Sequence, residues 1–337
     1  VIRRAFVALG ASGLVAYPRI ARATGGLDIA DPEPDVSIRV LLAAGPFAAP
    51  QPIDAWHFAW DGRTYRGTFT TVALEDGRDG LLNVLPLDAY LAGVINREMP
   101  AGWPSEAQRA QAIVSRTYVL GRLRPAKSYD VAASESDQKY GGIEGETLAG
   151  KAAVDATSGA ILSYAGAPAH VAYSSCCGGR TAAAGDVWNT PFPYLTSVDD
   201  PHCATSPGYE WTVDVGASAV ARAFGASFAD IGDLRSVELH ATAPDARPDA
   251  IVFVGNRSSF STTPTVFRSA IGTMLVRSTF VRSIALGNRA ALVSIIGTGH
   301  GHGVGLCQWG ARQYAQDGAL ASDILAFYFP GTRISRA

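Results

Sequence analysis

Lysine is nearly absent from this chain of 337 residues: Lys127, Lys139 and Lys151 stand among 28 basic residues, the rest being arginines. Acidic residues number 30, so the formal net charge is -2. Such a chain is not built to hold nucleic acid by bulk electrostatics, and no nucleic-acid partner is expected. Beyond the N-terminal stretch there is no uncharged apolar run long enough for a membrane span. Charged residues are only 17% of the total, but 47% are hydrophobic, which is core-forming rather than disordered composition.

The first residues point to export. Arg3-Arg4 precede the apolar stretch Ala5–Tyr17, and Ala21-Arg22-Ala23 has the A-x-A form of a cleavage site. Residues 1–23 therefore read as a signal peptide. The twin arginine followed by Phe6 also resembles a Tat signal, although the basic residue usual after that core is missing. Removing 1–23 takes away four arginines and no acid, moving the net charge from -2 to -6. The expected location is the periplasm or cell wall, with no membrane span after signal removal.

Residues 24–36 read as an acidic, Pro-containing lead-in. Residues 37–84 alternate as strands, with Asp61-Gly62 a hairpin turn between two of them. Leu87, Leu91, Val94 and Ile95 then recur at helical spacing up to Pro100. Ser105 with Gln108 reads as a capping box opening a second helix that ends near Gly121. Residues 211–292 mix a helix and several strands. Helices are expected over about Cys307–Gln316 and from Ser322. The fold class is α+β.

Glu98 is the next member of the stripe from Leu87 to Ile95, and it sits in the last turn, where the helix dipole disfavours an anion. Both effects raise a carboxyl pKa, as a general acid near neutral pH requires. Periodicity alone leaves open a solvated glutamate at a frayed helix end. Arg109 and Arg116 lie seven apart on the second helix and share a face; a guanidinium there either grips a carboxylate or sugar lactyl group or is simply solvated. Gly299–Leu306 contains no G-x-G-x-x-G frame, which excludes a dinucleotide site and leaves a close-approach loop carrying His300 and His302, backed by Gln308 and Trp309. For the cysteines two readings stay open. One is a disulfide from Cys203 to Cys176 or Cys177. The other is zinc held by His170, Cys176, Cys177, His202 and Cys203. Cys307 reads as a small buried residue at a helix start.

Taken together, Tyr90–Pro100 (YLAGVINREMP), Trp103–Tyr118, Asp137–Gly142, Tyr173–Thr181, Asp186-Val-Trp188, Gly299–Ala311 and Pro330-Gly-Thr332 resemble the SpoIID/LytB family, in order from about Ile38 to Ile334. The resemblance implies a SpoIID-like catalytic domain over 85–335, with 211–292 inserted and 37–84 as its β-rich N-terminal part. It implies lytic transglycosylation of peptidoglycan glycan strands, with Glu98 of the E-M-P motif as catalytic acid. Arg116 matches a family position implicated in activity. Tyr140, His300, His302 and Gln308 would line the groove and contact sugar hydroxyls. Some members are suggested to bind zinc through His and Cys, though the doubled Cys176-Cys177 departs from the pattern. Other relatives are regarded as enhancers of a cell-wall amidase, so a glycan-binding enhancer of such a partner is the alternative. Asp137 and Glu106, the nearby motif carboxylates, receive no role.

Overall fold

The computed structural model describes residues 36–243, 246–287 and 292–337. The expected signal peptide and the lead-in up to Asp35 lie outside the described residues. The class is α+β: helices with several small sheets and no barrel. No helix among the described residues is long and apolar enough to cross a membrane.

The β-rich beginning follows its alternation. Ser37–Ala44 pairs antiparallel with Asp79–Pro86, which pairs with Thr68–Ala73. A parallel partner, Val131–Ala132, arrives from far along the chain, a pairing that local alternation does not reveal. Gln51–Pro52, His57–Trp60 and Arg63–Arg66 form a separate meander. Its turn is Asp61-Gly62, at φ 48° and 72°, the two left-handed positions a tight hairpin demands.

Helix α1 (Leu87–Glu98) buries Leu87, Leu91, Val94 and Ile95, as their spacing requires. Helix α2 (Ser105–Leu120) starts differently from expectation. Pro104 occupies the cap position, and no side chain caps the helix. Gln108 instead donates to the carbonyls of Ala101 (3.0 Å) and Trp103 (2.8 Å) and accepts from Asn96 (3.1 Å), pinning the loop between the helices. Helix α2 is the spine of the molecule. Its Ala112 and Val119 join the core shared with α1 and the first sheet, while Ala107, Ala110, Ile113 and Val114 join a second core. A helix apolar on both sides is one buried on both sides.

Helix α3 (Leu148–Asp155) leads into strand Ala160–Tyr164, which pairs with the C-terminal strand Arg333–Arg336. Helix α4 (Ala184–Trp188) is short. Residues from Trp211 to Ile295 carry a third core, built from α5 (Ala217–Ala229), α6 (Pro264–Ile271) and two three-stranded antiparallel sheets. Helices α7 (Gln308–Gln316) and α8 (Ala321–Tyr328) return to the second core. Cys307 precedes α7 and caps it, its sulfur accepting from the Gly310 amide.

The Gly-rich stretch has a backbone reason for its alternation. Gly299, Gly301, Gly303 and Gly305 all have φ between 72° and 109°, while the residues between them do not. Only glycine takes that conformation freely. Space is equally restrictive: a Cβ on Gly305 would lie 2.2 Å from the Ala172 carbonyl oxygen. The stretch thereby lies flat against residues 172–178. Leu306–Cys307 pairs in parallel with Tyr173–Ser174, and Cys176 bridges to His300.

Candidate functional site

These pairings open a cleft of about 940 Å³ between the end of α1, residues 170–175 and the Gly-rich stretch. Glu98, His170, Tyr173, His300, His302 and Gln308 line it. A hollow of about 680 Å³ adjoins it through Arg122, Asp137 and His170, so the depression is elongated.

Glu98 ends α1 half-buried in the cleft. Its Oε1 accepts from the Lys139 amide at 2.6 Å. That bond ties down one oxygen. Burial raises the carboxyl pKa, against the opposing pull of the Lys139 amide and charge. The Tyr173 hydroxyl lies beside it, buried and, among the described residues, without a partner at ordinary hydrogen-bond geometry.

The cleft's other acids are committed elsewhere. Asp137 accepts from the Tyr118 hydroxyl (2.7 Å), Arg122 (3.1 Å) and the Ala132 amide (2.9 Å). Glu135 is exposed and paired with Lys139 at 2.9 Å, which lowers its pKa. Outside the cleft, Glu106 holds Arg109 at 2.6 Å and the Ala321 amide at 2.9 Å, joining α2 to α8. Among the described residues, Glu98 is therefore the one cleft carboxyl with a raised pKa.

His300 and His302 present their rings to the cleft between left-handed glycines. Burial and then Arg268 lower both, His302 to about 4. Nδ1 of His302 accepts from the Val304 amide at 3.0 Å, so its proton sits on Nε2. Gln308 is held by Gln111 at 3.3 Å.

Two expected groove residues are placed elsewhere. Arg116 is 2% exposed. Its Nε and Nη2 donate to Asp88 at 3.0 and 2.7 Å, and Nη1 donates to the carbonyls of Thr157 (2.7 Å) and Ala160 (3.2 Å). It donates to carbonyls just beyond α3 while pairing with an acid in the first turn of α1, a structural use of the fork. Arg109 shares none of these contacts. Tyr140 is likewise in the core: Gly93 leaves a notch for its ring, which meets Tyr90 at 4.9 Å, and its hydroxyl bonds Asn83 at 3.1 Å.

Of the expected zinc ligands, Cys177 and Cys203 converge but the two histidines do not join them. The His170 ring stacks on Phe192 at the cleft, whereas the His202 ring lies 3.8 Å from that of Tyr314. The structure gathers instead Cys177, Cys203, Cys307 and Asp200, all buried, with their donor atoms within 4.8 Å of one another. This set can hold a metal ion. All four cysteines are free thiols, so no disulfide links Cys203 to Cys176 or Cys177. Thiol hydrogen bonds, from Cys176 first, push Cys203 far down toward the thiolate, and burial raises Asp200. Sequence reasoning missed Asp200 and the part played by Cys307, which lies 104 positions beyond Cys203. It also left Tyr173 unassigned, although that residue opens the Tyr-Ser-Ser-Cys-Cys motif.

Comparison with known proteins bears on this arrangement. A family model described as SpoIID, stage II sporulation protein, matches residues 75–164, which include Glu98. An uncharacterized protein of Brachyspira hyodysenteriae is 30% identical over 290 residues, covering 82% of this chain and 74% of that protein. An amidase enhancer of Bacillus subtilis is 30% identical over 293 residues, 73% of this chain but only 40% of the enhancer's length. Stage II sporulation protein D of the same bacterium is 28% identical over 280 residues, 75% of each chain.

Proposed function

Since the chain belongs to the SpoIID/LytB family, we propose that it is an exported enzyme that cleaves peptidoglycan glycan strands by lytic transglycosylation, with Glu98 as sole acid and base. The observation that carries this reading is the half-buried Glu98 carboxyl, raised by burial and alone of its kind in an elongated cleft. Glycosidases that add water commonly use two carboxylates. Transglycosylation needs one. The protonated Glu98 donates its proton to the glycosidic oxygen as the bond to the muramic C1 breaks. The resulting carboxylate then takes the proton of the muramic 6-hydroxyl, whose oxygen bonds to C1 of the same sugar. The product carries a 1,6-anhydro end, and Glu98 is protonated again. The neutral His302, with its proton on Nε2, and the amide of Gln308 suit contact with sugar hydroxyls.

The relative named amidase enhancer supports a second reading, in which the chain binds glycan and stimulates a cell-wall amidase without cutting. Mass spectrometry of purified glycan strands after incubation separates the two. The first reading expects 1,6-anhydro ends with wild type and a rate about 10²–10⁴-fold lower with Glu98→Gln. Reducing ends mean hydrolysis and refute the mechanism. Intact strands, with faster cleavage by an added amidase, favour the enhancer.

A further inference from the structure

Cys177 and Cys203 converge as the sequence allows, but Cys307 and Asp200 stand where the two histidines were expected, and that exchange defines a different site. We propose that Cys177, Cys203, Cys307 and Asp200 hold one zinc ion in a closed tetrahedral site behind the cleft wall. The sulfurs of Cys177 and Cys203 are 3.5 Å apart. A disulfide requires about 2.05 Å, whereas two thiolates at about 2.3 Å from one tetrahedral zinc stand about 3.8 Å apart. Three backbone amides are aimed at sulfur: Cys177 and Gly310 at Cys307 (3.2 and 3.4 Å), and Gly179 at Cys203 (3.3 Å). Donors so placed suit thiolates, the form that binds metal. Asp200 supplies the fourth donor. Its Oδ2 lies 3.2 Å from the Cys177 sulfur and is oriented by the Tyr328 hydroxyl at 2.8 Å.

Charge gives independent support. A divalent ion with three thiolates and a carboxylate leaves a buried net negative charge, which needs a cation nearby. Arg247 supplies it. Its guanidinium donates to the Cys177 carbonyl, to the Arg180 carbonyl at 2.8 Å and to the Thr279 hydroxyl at 3.0 Å. Among the described residues, all its hydrogen bonds go to such neutral oxygens. Soft thiolates select zinc over magnesium or calcium, and four protein donors leave no open position, so the role is structural. Cys177 follows the cleft residues Ser174 and Ser175, and Cys307 precedes Gln308; one ion therefore fixes both walls of the cleft.

The test uses the full chain, purified under reducing conditions without added metal. Elemental analysis is expected to find about one zinc per chain. Cobalt(II) exchanged into the wild type should show thiolate-to-metal charge-transfer absorption, a readout that depends on no variant folding. The double variant His170→Ala/His202→Ala should keep the metal, Cys203→Ser should lose it, and Arg247→Ala should weaken binding about 10–100-fold. Metal-free protein overturns the proposal, whether its thiols titrate freely or its intact mass falls short by the two hydrogens of a disulfide. Loss of zinc in the histidine variant, or full affinity in Asp200→Asn, overturns the donor set.

Discussion

Arg116 is where a role on the substrate and a role in the scaffold predict opposite results. Replacing it with methionine keeps most of the volume and removes the charge. Six hydrogen bonds disappear: two to Asp88, two to Thr157 through its carbonyl and hydroxyl, and one each to the carbonyls of Ala160 and Val154. Breaking a buried ion pair by removing one partner costs about 3–5 kcal/mol. Asp88 is 24% exposed at its side chain and also accepts from the Ser158 hydroxyl at 2.7 Å, so water and Ser158 soften its loss. The lower end, about 3 kcal/mol, is the expected cost. Urea titration followed by circular dichroism measures it. Under conditions where both proteins are folded, cleavage per folded molecule should stay within a few-fold of wild type. A variant as stable as wild type but devoid of cleavage would refute the argument and place the guanidinium on the substrate.

Three other outcomes follow from the same structure. Glu98 has a folded pKa above its ordinary value of 4.5, so the stability its proton confers is complete below that value and is lost as pH rises through the raised one. Glu98→Gln should therefore gain thermal stability over wild type as pH climbs through this window, and a pH-independent difference would contradict the raised pKa. Gly305→Ala places a Cβ 2.2 Å from the Ala172 carbonyl oxygen at φ 72°, so thermal denaturation should show a loss of several kcal/mol or no soluble protein; wild-type stability would refute the close approach. Tyr140→Phe should cost about 1 kcal/mol through the Asn83 bond and leave cleavage unchanged, whereas a large loss of cleavage with normal stability would put the hydroxyl on the sugar.

Local patterns were legible wherever one short-range rule governs. The stripe from Leu87 to Ile95 placed Glu98 at a helix end, because helical period and Pro100 act over a few residues. The alternate glycines announced a close-approach loop, because each left-handed position excludes nearly every other residue. The direction of Arg116 was not legible. A seven-residue spacing says that two side chains share a face, and not which neighbour that face meets; α2 meets cores on both sides. Tyr140 shows the same limit, since its burial depends on a notch at Gly93, 47 positions earlier.

The sequence by itself determined the α+β class, the family through dispersed motifs, and the candidacy of Glu98, since each is written in neighbouring residues. Only the tertiary structure decided which cysteines meet. Cys177, Asp200, Cys203 and Cys307 are joined by the pairing of Tyr173–Ser174 with Leu306–Cys307, strands more than 130 residues apart. His170 precedes Cys176 by six positions and His202 adjoins Cys203, yet both rings pack against aromatic neighbours instead. Proximity along a chain constrains where a backbone goes, but a ligand set depends on the direction of every side chain, and packing across the cores sets that direction.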